Sequence, residues 1–243
     1  MSSLRERKFA KTRLALARAL GTALETVSLD EVPVKSLCQV VEVSEATFFN
    51  YFPSKYALLE YLVQLWLLEL NWALASAEAP AGLGRIQSLF SRCARTCKER
   101  PGFMKAVIGW LSAGGSAGTE RQPGVLERTL AYPDHPGIDT TPLLSIDRLL
   151  ATQVEHALKQ HELPDNLPVP MIIGGLLALL FGVPLTLLDH DPGRVGSFYQ
   201  QQLHIFWAGL RSAAGRTSTA ADGPQVTRES LTRDEVRLPQ SHT

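Results

Sequence analysis

VKSLCQVVEVSEATFFNYFPSKYALL, residues 34–59, is the stretch that decides the fold. Val34, Leu37, Cys38 and Val41 are apolar at helical spacing, so the stretch opens as a short helix. Val43 then marks a turn, and Ser44 is a strong N-cap for a second helix. Phe48 and Phe52 are four apart and point inward together with Val43. The opposite face presents Glu45, Ala46, Thr47, Phe49, Asn50 and Tyr51. A short helix offering hydroxyls, an amide and aromatic edges next to a tight turn is predicted to be a recognition helix for the DNA major groove.

The run Thr47-Phe48-Phe49-Asn50-Tyr51-Phe52-Pro53-Ser54-Lys55, followed by Leu58 and Leu59, resembles the DNA-binding region of the TetR family of bacterial transcriptional regulators. Phe52-Pro53-Ser54-Lys55 with its following leucines is the most specific part. The resemblance is specific over about residues 8–70 and architectural beyond. Three positions depart from the family pattern. Glu42 stands at the turn glycine, so the turn has to accept a side chain. Phe49 replaces a tyrosine that in the family touches a DNA phosphate, and Pro33 replaces a capping threonine. The resemblance implies an all-α protein with an N-terminal helix-turn-helix domain followed by a helical ligand-binding and dimerisation bundle.

The first helix, expected over Leu4–Thr26, carries the charge that DNA would require. Arg5, Arg7, Lys8, Lys11, Arg13 and Arg18 stand against Glu6 alone in residues 1–24, although the whole chain has a net charge of zero. Such a patch neutralises backbone phosphates and releases counterions. The predicted DNA-contacting set is Ser44, Glu45, Ala46, Thr47, Phe49, Asn50, Tyr51, Lys55, Arg5 and Lys8. Glu45 suits cytosine N4 and Asn50 suits adenine, while Tyr51 and Lys55 hold the backbone.

The chain has 243 residues, enough for a small head and a larger body. The expected division is residues 1–53 for DNA binding, 54–214 for regulation and dimerisation, and 215–243 as a disordered tail without aromatics. Helices are expected from Ser54 to Glu78, Arg85 to Arg100, Phe103 to Ala113, Thr141 to His161, residues 170–188 and residues 194–214. Residues 113–124 read as a flexible loop and 131–142 as turns.

Three cysteines do not make a disulfide framework, which fits a reducing cytoplasm. Cys93 and Cys97 share a helix face, but no further ligand is near in sequence, so they read as small hydrophobes. His156, His161 and His190 are explained by capping and solvation, and no metal or cofactor is expected. No G-x-S-x-G, H-E-x-x-H or phosphate-binding glycine loop nominates an enzyme. The uncharged run from Pro168 to Leu188 approaches membrane-spanning length. Gly174, Gly175, Gly182 and Pro184, with no flanking basic cluster, favour a buried or interface helix and no membrane.

The expected partners are a palindromic DNA duplex, a second copy of the chain through its last two helices, and a small apolar effector. The resemblance implies a cavity for that effector, and Phe90, Phe103, Trp110 and Phe181 are the predicted lining. Two alternatives remain open at this stage. One is a ligand-independent regulator or activator answering to a protein partner. The other is a ligand-binding or enzymatic helical bundle with a vestigial DNA-binding motif.

Overall fold

Capping residues set the helix starts in the head. A computed structural model describes residues 3–115 and 122–220. Ser3 caps α1 (Leu4–Ala23): its hydroxyl accepts from the Glu6 amide at 3.1 Å, and Glu6 accepts from the Ser3 amide at 2.7 Å. Ala10, Leu14, Ala17 and Leu20 form the buried stripe. The helix ends three residues before the expected Thr26. After a 3-10 turn at Leu29–Glu31 come α2 (Val34–Val41) and α3 (Glu45–Tyr51). Glu42 closes α2 in the left-handed region, at φ 57°. The turn does accept a side chain there, at a cost of roughly 1–2 kcal/mol relative to glycine-like freedom.

Ser54 caps α4 (Lys55–Ala75), its hydroxyl accepting from the Ala57 amide at 3.2 Å. This helix is buried almost all round from Leu58 to Leu74, because α1 covers one side and the body the other. The body continues with α5 (Leu83–Glu99), α6 (Pro101–Ser112), α7 (Val125–Ala131), α8 (Ile146–Lys159), α9 (Val169–Leu187) and α10 (Val195–Ala220). Ile86, Leu89, Phe90, Cys93 and Cys97 make α5 the inner helix, against which α8 and α10 pack. One apolar core runs without a break from Leu14 in the head to Leu210 in the body. The described residues contain helices and no strand, so the all-α class holds.

Three local expectations need correction. Helix α7 was missed, since its seven residues carry too little periodicity to rise above the neighbouring turns. Thr141 does not cap a helix at Pro142; α8 starts at Ile146, with Ser145 in the cap position. The Thr141 hydroxyl instead donates to the Gly137 carbonyl at 2.9 Å, and Arg128 holds the Thr141 carbonyl at 2.7 Å. Helix α10 runs to Ala220, beyond the expected end at 214. Residues 116–121 of the expected loop and 221–243 of the expected tail lie outside the described residues.

Candidate nucleic-acid interface and effector cavity

The packing of α3 separates a buried side from an exposed one. Phe48 and Phe52 are sealed in the core, at 0% and 2% exposure. Ser44, Glu45, Ala46, Phe49 and Asn50 face outward, and Thr47 and Tyr51 are half-buried. The Ser44 hydroxyl accepts from the Thr47 amide at 3.1 Å and lies 2.8 Å from the Thr47 hydroxyl. Both hydroxyls therefore first serve to start the helix. Tyr51 leans on Phe9 of α1, with ring centroids 4.9 Å apart. Phe49 exposes half its ring and carries no hydroxyl to donate.

The basic N-terminus divides. Arg5, Arg7, Lys8, Lys11 and Arg18 are exposed on α1. Arg13 is not: its side chain is 9% exposed and pairs with Glu127 at 2.8 Å. Its place in the sequence groups it with the phosphate-facing patch, because proximity along the chain does not reveal which side of α1 faces α7. Lys55 is half-buried, and its ammonium donates to the Asp30 carbonyl at 2.7 Å and the Val32 carbonyl at 3.4 Å. Two of its three protons thus brace the turn before α2, leaving one for an outside acceptor. Tyr56, beside it, donates to the Asp30 carboxylate; that bond pushes its phenol pKa up.

A mostly apolar cavity of about 490 Å³ lies between α4, α6, α8 and α9. Trp110 and Phe181, both predicted, line it. Phe90 and Phe103 do not: each is wholly buried in packed core, Phe90 edge-on to Tyr199 at 4.9 Å and Phe103 edge-on to Trp66 at 5.9 Å. The correction follows from helix rotation, which composition cannot supply. Trp66, an apolar residue of α4 with nothing in sequence to single it out, forms a cavity wall. Its indole N–H is spent on the Thr96 hydroxyl at 3.1 Å, so it offers the cavity only carbon. Among the described residues of the lining, Asp147 alone is ionisable.

The cavity wall connects to the head through α6. The Glu25 carboxylate, just past α1, accepts from the Gly102 and Phe103 amides at 2.9 and 3.1 Å and so caps α6. A Cβ at Gly102 would lie 1.9 Å from the Leu24 carbonyl oxygen, so only glycine permits this approach. The joint ties the start of α6, two turns before Trp110, to the residues just past α1.

The two neighbouring helices α9 and α10 leave apolar side chains uncovered: Met171, Leu185 and Ile205 are 50%, 64% and 61% exposed. α9 is long and apolar enough to cross a membrane, with a mean hydropathy of 2.1. A Cβ at Gly175 would meet the Phe206 ring at 2.6 Å, which shows how closely α10 lies on α9. Among the described residues no cluster of three or more His, Cys, Asp or Glu could hold a metal.

No family model matches the chain, and no curated protein does. Solved structures do. Salmonella enterica GusR is 18% identical, with 83% of this chain and 96% of that one covered and a TM-score of 0.55. Thermus thermophilus FadR, a TetR-family repressor in complex with lauroyl-CoA, is 19% identical over 92% of this chain and 100% of its own, with a TM-score of 0.50. A TetR-family regulator from Cytophaga hutchinsonii is 14% identical over 84% and 96%, with a TM-score of 0.52. With its helix-turn-helix head on a buried connecting helix and a helical body, this chain has the fold of the TetR-family transcriptional regulators.

Proposed function

We propose that this protein is a dimeric, cytoplasmic DNA-binding transcriptional regulator. In this reading it represses from a palindromic operator and is released by a small apolar effector. The observation that carries the reading is the exposed face of α3, Ser44 to Asn50, standing beside exposed Arg5, Lys8 and Lys11 on a rigid apolar scaffold. Base contacts would come from Glu45 and Asn50, and phosphate contacts from Arg5, Lys8, Tyr51 and the free proton of Lys55. The head comprises residues 1–53 and the regulatory body 54–214.

The aromatic cavity supports a lipophilic effector, as does the lauroyl-CoA held by the Thermus protein of the same fold. The uncovered apolar residues of α9 and α10 support a two-fold dimer, which would present two recognition helices to a palindrome. An effector preferring the DNA-free form about 100-fold would weaken operator binding by about 2.7 kcal/mol. The test selects bound duplexes from a random pool, then screens lipophilic compounds by thermal shift and operator release. Equal retardation of selected and random DNA at moderate salt would favour a vestigial motif. Specific binding with no compound causing release would favour a regulator answering to a protein.

A further inference from the structure

Arg13, Glu127 and Tyr61 bring three separate helices, α1, α7 and α4, to one buried point. Arg13 Nη1 donates to Glu127 Oε1 at 2.8 Å, and the Tyr61 hydroxyl donates to the same oxygen at 3.0 Å. The other Glu127 oxygen accepts from the Gly124 amide at 2.7 Å and closes the first turn of α7. Burial, reinforced by the carboxylate, pushes the Tyr61 phenol far up, so it remains a proton donor.

The guanidinium is also the centre of an aromatic cage. It lies 4.1 Å from the ring centre of Tyr61, 5.1 Å from Phe52 and 5.6 Å from Phe9. Two of those rings lead to the reading helix. Phe9 stacks on Tyr51, and Phe52 lies 6.1 Å from Phe48. Arg13 Nε is buried with no hydrogen-bond partner, so one side of the guanidinium is held by ring contacts alone.

We propose that Glu127 is a positioning residue for DNA recognition: through Arg13 it holds the N-terminal half of α1, and with it α3, in a fixed setting relative to the body. The proposal rests on the DNA-binding reading above. Desolvating two charges offsets most of their attraction, so such a pair adds little net stability compared with an apolar pair of the same size. Removing one partner leaves the other buried and uncompensated, which strongly disfavours that geometry. The pair therefore selects one arrangement of head and body. Since α7 packs chiefly on α1, it transmits to the head any shift of the segment that carries it.

Glu127→Gln keeps the shape and an acceptor oxygen while removing the charge. The expected result in DNA-free protein is amide exchange over residues 44–52 faster by about tenfold. Operator affinity should fall by a similar factor, with the salt slope unchanged because no phosphate contact is lost. Phe90→Leu, in the distant α5 core, serves as a control: at a matched loss of Tm it should leave exchange over 44–52 unchanged. Should Glu127→Gln unfold the protein, the double replacement Arg13→Met with Glu127→Leu restores a neutral core and is expected to show native Tm but fast exchange in α3. Exchange in α3 equal to that of the control in the charge-removal variants would overturn the proposal. So would a salt slope reduced by one contact in Arg13→Met, which would place Arg13 on DNA. If the wild-type protein selects no operator, the functional reading falls, and the exchange result still decides the role of Glu127.

Discussion

Single residues carry sharply different duties along the exposed side of the helix-turn-helix. The Asn50 side chain is exposed and has no hydrogen bond to another described residue, so Asn50→Ala should relax preference at one base position. Lys55→Ala should do two things: weaken binding to all sequences and loosen the turn at residues 30–32 that its ammonium braces. Binding isotherms across a salt series separate the two, because the phosphate contact appears in the slope and the brace in Tm. Glu42 holds a left-handed conformation with an exposed side chain. Glu42→Gly removes that strain but adds unfolded-state freedom, so a net stabilisation of roughly 0.5–1 kcal/mol is expected in denaturant titration. Cys93 and Cys97 are free thiols whose pKa values burial pushes up, that of Cys97 to about 12. At pH 8 a thiol reagent should label them only after denaturant is added. The sign for stability follows: above about pH 8.5 the unfolded thiols lose protons that the folded ones keep, so stability should fall as pH rises from there toward 12.

At the scale of elements, the same residue type means different things on different helix faces. Phe90 on α5 is 1% exposed inside close-packed core, and Phe90→Ala should cost about 3–5 kcal/mol. Trp110 on α6 borders empty space, so Trp110→Ala should cost less stability but weaken lipophilic ligands in thermal-shift titration. Gly115 packs so tightly on the Trp110 indole that a Cβ there would lie 2.4 Å from it. Gly115→Ala is therefore expected to push the indole out of place and alter ligand preference, although residue 115 itself carries no functional group. The Glu25 cap on α6 ties this wall to the end of α1. In the proposed mechanism, an effector that pushed α6 toward α1 would bear on the head directly, since Gly102 and Leu24 already touch and cannot be compressed further.

For the whole molecule, the uncovered apolar surface of α9 and α10 is the main unbalanced feature. Leu177 is half-buried and lines the cavity between α4, α6, α8 and α9, so it is a poor reporter of assembly. Leu185 and Ile205 are better placed, being 64% and 61% exposed. Leu185→Glu with Ile205→Glu should leave the monomer folded, because neither side chain belongs to the core. The pair should yield monomers at micromolar concentration in sedimentation, with operator affinity reduced through loss of the second half-site. Wild-type protein sedimenting as a monomer would remove the dimer from the proposed function.

The head was legible in the sequence because its signals are local. Ser44 and Ser54 start their helices by accepting from amides three residues on, Phe48 and Phe52 share a face by spacing alone, and Glu42 marks its own turn. Most of the longer helices followed from the same short-range periodicity, whereas α7 did not, and the all-α class came with the family resemblance. What the sequence did not reveal depends on which helix packs against which. Arg13 looks like its exposed neighbours until α7, more than a hundred residues away, supplies Glu127. Lys55 is a free cation in sequence and a brace in the fold, because Asp30 and Val32 turn their carbonyls toward it. Phe90, Phe103, Trp66 and Trp110 are equivalent as aromatic residues on helices; only the rotation of each helix against its neighbours puts two of them on a cavity and two in solid core. Helix formation is governed by residues within one or two turns, whereas burial, pairing and cavities are set by side chains that meet only after the chain has folded.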